Sequence, residues 1–262
     1  MLKRRLIPVL YLKDGWMVRS ELFKIHQVIG HPVHHVERLV QWDVDELIVL
    51  DIGVGESTFE IPRDDYRVGG AKTLLEFISG IASNCRIPLT FGGRIRDLED
   101  ARIRIRNGAD KVSVNTAATE EPALIGRIAR AFGSQAVVVS IDYRMIDGEA
   151  RVFADHASRD IGRDVVSWAR QAEDHAAGEI LLNAVDRDGT AKGYDLATTQ
   201  AVSDAVEIPV ITCGGAGHQR HFMQCFEATG ASAVAAGNIF HFTENAYPRA
   251  KAFLRERRAD IR

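Results

Sequence analysis

Three shortages narrow what this 262-residue chain can be. Cysteine is scarce: Cys85, Cys213 and Cys225 are odd in number and lack CxxC spacing, which argues against a disulfide framework or a zinc site and predicts reduced thiols in the cytoplasm. Lys/Arg-rich runs are missing and the net charge is −3, so neither nucleic acid nor an anionic membrane is an expected partner, and a small molecule is. No stretch approaches the ~20 apolar residues of a membrane span. The N-terminus starts basic and then apolar, but Lys13 and Asp14 interrupt the run before it reaches signal-peptide length.

What is present is enough for one large core under a charged surface: 46% apolar and 26% charged residues. β-branched runs recur at Leu6–Tyr11, Glu46–Asp51, Pro88–Phe91, Lys111–Val114, Ala136–Asp142, Glu179–Asn183, Pro209–Cys213 and Ala233–Gly237. Segments with apolar residues at helical spacing, such as Pro122–Phe132 and Asp164–Ala176, lie between them. Alternating βα units with eight strands predict a single (β/α)8 TIM barrel over 1–262. The chain also repeats itself. Ile87-Pro88-Leu89-Thr90-Phe91-Gly92-Gly93 returns as Ile208-Pro209-Val210-Ile211-Thr212-Cys213-Gly214-Gly215, read with one added residue, and Gly108–Asn115 returns as Gly230–Gly237. Asp45–Val49 likewise returns as Gly178–Leu182, so the expected unit is a half barrel, about 1–120 and 121–262.

Glycines directly after barrel strands let a phosphate approach backbone N–H groups at a helix N-terminus. The second half offers Asp188 and Gly189, Gly214 and Gly215, and Gly237 and Asn238; the first offers Gly93, Arg94, Asn115 and Thr116. Such glycines also make tight turns, but their duplication at matching strand ends favours two quasi-symmetric anion sites. Asp51, Asp142 and Asn183 sit at strand ends, where polar residues read as catalytic or substrate-binding. Superposing the halves sets Tyr11 opposite Asp142, so a carboxylate in one half faces a phenol in the other.

Several segments together resemble the cyclase subunit family of imidazole glycerol phosphate synthase over nearly the whole chain. They are Leu6-Ile7-Pro8 with Lys13-Asp14-Gly15, Lys111–Ala118, Phe132–Gln135, Gly178–Leu182, Asp186–Thr190 and Cys213–Gly217. The resemblance implies an enzyme of histidine biosynthesis that takes ammonia from a glutaminase partner and closes an imidazole ring on a bis-phosphorylated substrate. It implies a general acid/base pair, one member falling on Asp142 and the other, normally aspartate, on Tyr11. A phenol with a reference pKa of about 10 is a poor base near neutrality. The third glycine of the first phosphate loop falls on Arg94, which could hold a phosphate or fill its place, and the expected lysine after strand one falls on Arg19. Asn183, Ala184, Gly237 and Asn238 also depart from the usual residues, and the segment Gly53–Gly70 is longer than the family's loop. Arg5, Glu46, Lys111 and Glu179 match the family, where they ring the barrel bottom and gate ammonia; two structural salt bridges are the plainer reading of such charges, but with all four matching, the gate is the expectation.

Three functions follow. One is the family's cyclase, with the glutaminase docked at the N-terminal face. Another is a divergent paralogue delivering ammonia to a different acceptor, such as a nucleotide-linked sugar in surface polysaccharide synthesis. The last is a non-catalytic scaffold that activates the glutaminase. His26, His31, His34 and His35 show no metal-binding pattern, Trp42 and Trp168 read as packing, and no metal or cofactor is assigned.

Overall fold

The computed structural model describes residues 3–53, 73–84, 87–257 and 259–262. Eight parallel strands close on themselves: β1 (Arg5–Lys13), β2 (Leu47–Asp51), β3 (Leu89–Gly92), β4 (Lys111–Val114), β5 (Val137–Ile146), β6 (Glu179–Ala184), β7 (Val210–Cys213) and β8 (Ala233–Ala236). Each pairs with the next, and β8 returns to β1 with Arg5 opposite Ala233. A parallel sheet covered by helices outside and by its own side chains inside is buried on both faces, which is why β1 reads Leu6-Ile7-Pro8-Val9-Leu10 without alternation. Ile7, Val9 and Tyr11 point with Ile48, Val138, Leu181 and Ile211 into the barrel, while Leu6, Leu10 and Leu12 join the outer layer with Phe222, Phe226 and Tyr247.

The helical ring follows the expected spacing. The helix read as Pro122–Phe132 spans Ala123–Phe132, and the one read as Asp164–Ala176 spans Val165–Asp174. Asp164 is outside that helix because its carboxylate caps it, accepting from Ser167 N at 2.8 Å. Trp168 on the same helix is 1% exposed in the outer core layer, as packing requires, whereas Trp42 is half-buried beneath the Arg38 guanidinium. The last helix, Ala246–Glu256, is tied to the barrel start by Tyr247, whose hydroxyl donates to Leu6 O and accepts from Asp45 N, and by Lys251 on Asp45 at 2.6 Å.

Two antiparallel hairpins extend β1 and β5 and were not expected. Strands Trp16–Glu21 and Ile25–Gly30 follow β1, and Glu149–Ala154 and Arg159–Asp164 follow β5. Each begins at an Asp-Gly pair with positive φ at both residues, Asp14-Gly15 and Asp147-Gly148, the combination that favours a two-residue hairpin turn. Their matching positions repeat the half-barrel symmetry.

That symmetry corrects one alignment. Leu47 pairs with Leu89 and Leu50 with Gly92, just as Ile180 pairs with Val210 and Asn183 with Cys213. No residue is added in the second copy: Gly92 corresponds to Cys213, Gly93 to Gly214 and Arg94 to Gly215. The crowding agrees, since a Cβ on Gly93 would strike Asp51 O and one on Gly214 would strike Ala184 O.

Candidate functional site

At the C-terminal ends of the strands, Asp142 on β5 is 5% exposed. Asn183, beside it on β6, donates Nδ2–H to Asp142 Oδ1 at 2.8 Å, and Asn115, at the end of β4, donates to Oδ2 at 2.8 Å. Burial pushes the carboxyl up to about 6 against the pull of these two amides, leaving a group that can hold or release a proton near neutrality.

The register places Tyr11 at the position equivalent to Asp142, since Tyr11 pairs with Leu50 as Asp142 pairs with Asn183. Its surroundings have changed with it. Leu50 stands where Asn183 would donate, and Gly237 where Asn115 would, with the ring 3.6 Å from where a Cβ of Gly237 would be. The phenol is 3% exposed, edge-on to Phe23 at 5.6 Å, and hydrogen-bonded to the Cys213 side chain. Burial, aided by Cys213, Asp188 and Asp142 nearby, raises it well above the usual phenol value, so Tyr11 stays protonated and is no base. Cys213 itself is pushed up to about 12 by burial and is inert as a thiolate. Its place beside Tyr11 was not foreseen, although the pairing of Cys213 with Gly92 in the repeat carried the signal.

Two cavities open on this face. The first, about 560 Å³, is lined by Asp51, Gly93, Arg94, Asn115, Thr116 and Asp142. The second, about 220 Å³, is lined by Tyr11, Arg19, Asp188, Gly189, Gly215 and Gly237, with Gly214 and Asn238 beside them. The structure therefore divides the expected residues between two cavities, with Asp142 of the second half on the first cavity and Tyr11 and Arg19 of the first half on the second. Asn183 reaches them only through Asp142. Several expected ligands are already engaged. Arg94 Nε lies 2.8 Å from Asp51 Oδ2, so the guanidinium occupies its loop rather than leaving a bare cradle. Asn238 donates to Ser20 O at 2.7 Å, and Asp188 accepts from Leu22 N and Phe23 N, fastening the first hairpin over the mouth. Arg19 sits 5.9 Å from the Phe242 ring. Thr116 Oγ1 accepts from Asp155 N on the second hairpin. Most of the long Gly53–Gly70 segment lies outside the described residues, and so does Cys85.

At the opposite end Arg5, Glu46, Lys111 and Glu179 join in a closed ring of four ion pairs. Arg5 contacts Glu46 and Glu179 at 2.7 Å each, and Lys111 contacts Glu46 at 2.9 Å and Glu179 at 2.7 Å. Burial would raise the Glu46 carboxyl, but Lys111 and Arg5 outweigh it and hold it below the usual range. Among the described residues no cluster of His, Cys, Asp and Glu could hold a metal, and no helix is long and apolar enough to cross a membrane.

Fold and site together define a (β/α)8 barrel of two like halves, with a buried carboxylate held by two amides and glycine-lined cavities at one end and a charged ring at the other. The family described as histidine biosynthesis protein matches residues 5–246. Imidazole glycerol phosphate synthase subunit HisF of Metallosphaera sedula is 41% identical over 262 residues, with all of both chains covered. The subunits HisF of a Hydrogenobaculum species and of Anoxybacillus flavithermus are each 40% identical, again over the full length of both chains. This chain belongs to the histidine-biosynthesis barrel family, within its HisF group of imidazole glycerol phosphate synthase subunits.

Proposed function

We propose that the chain is the ammonia-consuming subunit of an imidazole glycerol phosphate synthase. A glutaminase docks on the N-terminal face in the cytoplasm, ammonia passes the Arg5–Glu46–Lys111–Glu179 ring into the barrel, and it meets a phosphorylated acceptor at the other end. The observation that carries this reading is Asp142, held between two amides with its carboxyl near pH 6. Such a group accepts a proton from an attacking amine and returns one during ring closure. The glycine loops around Gly93 and Gly215, with Arg19, supply places for anionic groups.

The test is turnover of the bis-phosphorylated ribulosyl substrate by the pure chain at high ammonium. Product formation that Asp142→Asn abolishes is expected; no turnover by the wild type would refute cyclase activity. A paralogue with another acceptor, such as a nucleotide-linked sugar, is favoured by one specific observation, the replacement of the second carboxylate by a protonated Tyr11. Under that second reading the wild type is inactive in the same assay and Tyr11→Asp restores turnover. Glutaminase capture through the N-terminal face is checked by copurification, which Lys111→Glu should abolish.

A further inference from the structure

We infer that Asp188 supplies the second proton-transferring group that Tyr11 cannot, so that the acid–base pair of this chain is Asp142 with Asp188. This rests on the reading above that the chain closes a ring with ammonia. It names the group that serves in place of the carboxylate missing from β1.

Addition of ammonia to the ketose carbonyl of such a substrate forms the C–N bond from the nitrogen lone pair and sends the carbonyl π electrons to oxygen. The nitrogen then loses two protons and the oxygen gains two before leaving as water, so an imine and water result and both carboxyl groups end as they began. Two carboxyl groups in opposite protonation states do this in step, one accepting as the other donates.

Asp142 is one such group. Asp51 is committed to Arg94 at 2.8 Å, whereas Asp188 forms no ion pair among the described residues. Asp188 follows β6, is 6% exposed, and lines the same cavity as Tyr11, Cys213, Gly215 and Gly237. The hairpin that continues β1 sets it there. Phe23 N donates to Asp188 Oδ2 at 3.1 Å, Leu22 N donates to the Asp188 carbonyl at 2.9 Å, and Phe23 lies edge-on to the Tyr11 ring. A Cβ on Gly189 would be 2.6 Å from Ser20 O, so the turn that carries Asp188 is pressed against the hairpin backbone. The strand that lacks a carboxylate at Tyr11 thus carries, on its own hairpin, the donor that positions another.

The Tyr11 hydroxyl is bonded to Cys213 and not to Asp188. The charge of Asp188 acts on Asp142, opposing its ionisation, and burial raises both carboxyls from their ordinary value. Interacting carboxyls release their protons in separate steps, which keeps one acid and one base present together.

Steady-state turnover of the bis-phosphorylated ribulosyl substrate by the full chain at saturating ammonium tests this. Asp188→Asn keeps an oxygen to accept from Phe23 N but cannot carry the proton. Its kcat is expected to fall by about a hundredfold or more, as loss of a general acid or base does. Adding Tyr11→Asp to that variant is expected to recover kcat by about tenfold or more, because a carboxylate then stands at the end of β1. A purely structural role in fastening the hairpin would not be rescued from there. If Asp188→Asn fails to fold, Asp188→Ser carries both tests. A smaller fall in kcat, a loss confined to KM, or no recovery with Tyr11→Asp overturns the inference and leaves the cyclase reading intact. No turnover by the wild type refutes that reading, and the inference with it.

Discussion

Replacing Asn183 by leucine, the residue at the equivalent position beside Tyr11, should raise the Asp142 midpoint from about 6 to between about 7 and 8. Asn183 is 2% exposed and donates to Asp142 Oδ1 at 2.8 Å, so no water replaces the lost donor. A hydrogen bond to a charged group contributes about 1.5–3 kcal/mol, and one pH unit corresponds to about 1.36 kcal/mol, which gives a shift of roughly one to two units. The sign is upward, because the amide favours the ionised form and its loss favours the protonated one. The assay is a carbon-13 NMR titration of side-chain-labelled aspartate, with Asp142 assigned by its loss in Asp142→Asn. Tyr11→Phe is the control. Tyr11 is uncharged throughout this range, so its midpoint should match the wild type. An unchanged or lowered midpoint in Asn183→Leu would refute the account of how Asp142 is held near neutrality. Asn115→Ala should act in the same direction through Oδ2.

Glu179→Gln leaves Arg5 and Lys111 sharing Glu46 alone, and urea unfolding should show a loss of about 3 kcal/mol, as breaking a buried pair does. The folded-state pKa of Glu46 is depressed, so its contribution is present above the ordinary carboxylate value and is lost as pH falls through the depressed one; Glu46→Gln should flatten that acid limb. His241 is neutral in the fold, with burial and then His35 and Arg38 lowering it to about 3, so the wild type should lose stability as pH falls from about 6.5 towards 3. His241→Phe should reduce that loss in thermal melts taken across the range. Trp168→Ala should cost about 3–5 kcal/mol in chemical denaturation, because the ring is buried in the outer core and its removal opens a cavity.

The eight strands, the helical ring and the twofold repeat were legible in the sequence because parallel strands buried on both faces must be apolar throughout, and because duplicated halves keep that pattern. Asp142 stood out by position, at the end of a barrel strand, and the four bottom charges by their places at the starts of β1, β2, β4 and β6. The two hairpins were written as Asp14-Gly15 and Asp147-Gly148 but passed unread, since each continues a strand already assigned. Only the tertiary structure decided how these residues pair. Sequence separation carries no distance, so nothing in the order of residues says that Asn115 and Asn183 both reach Asp142, or that Cys213 meets Tyr11. The same holds for the alignment of the repeat, which the strand register settled without the added residue. It holds also for Arg94, whose charge could have served a phosphate equally well. Folding brought Asp51 within 2.8 Å, and the ion pair follows from that proximity in a buried setting where neither charge can remain alone.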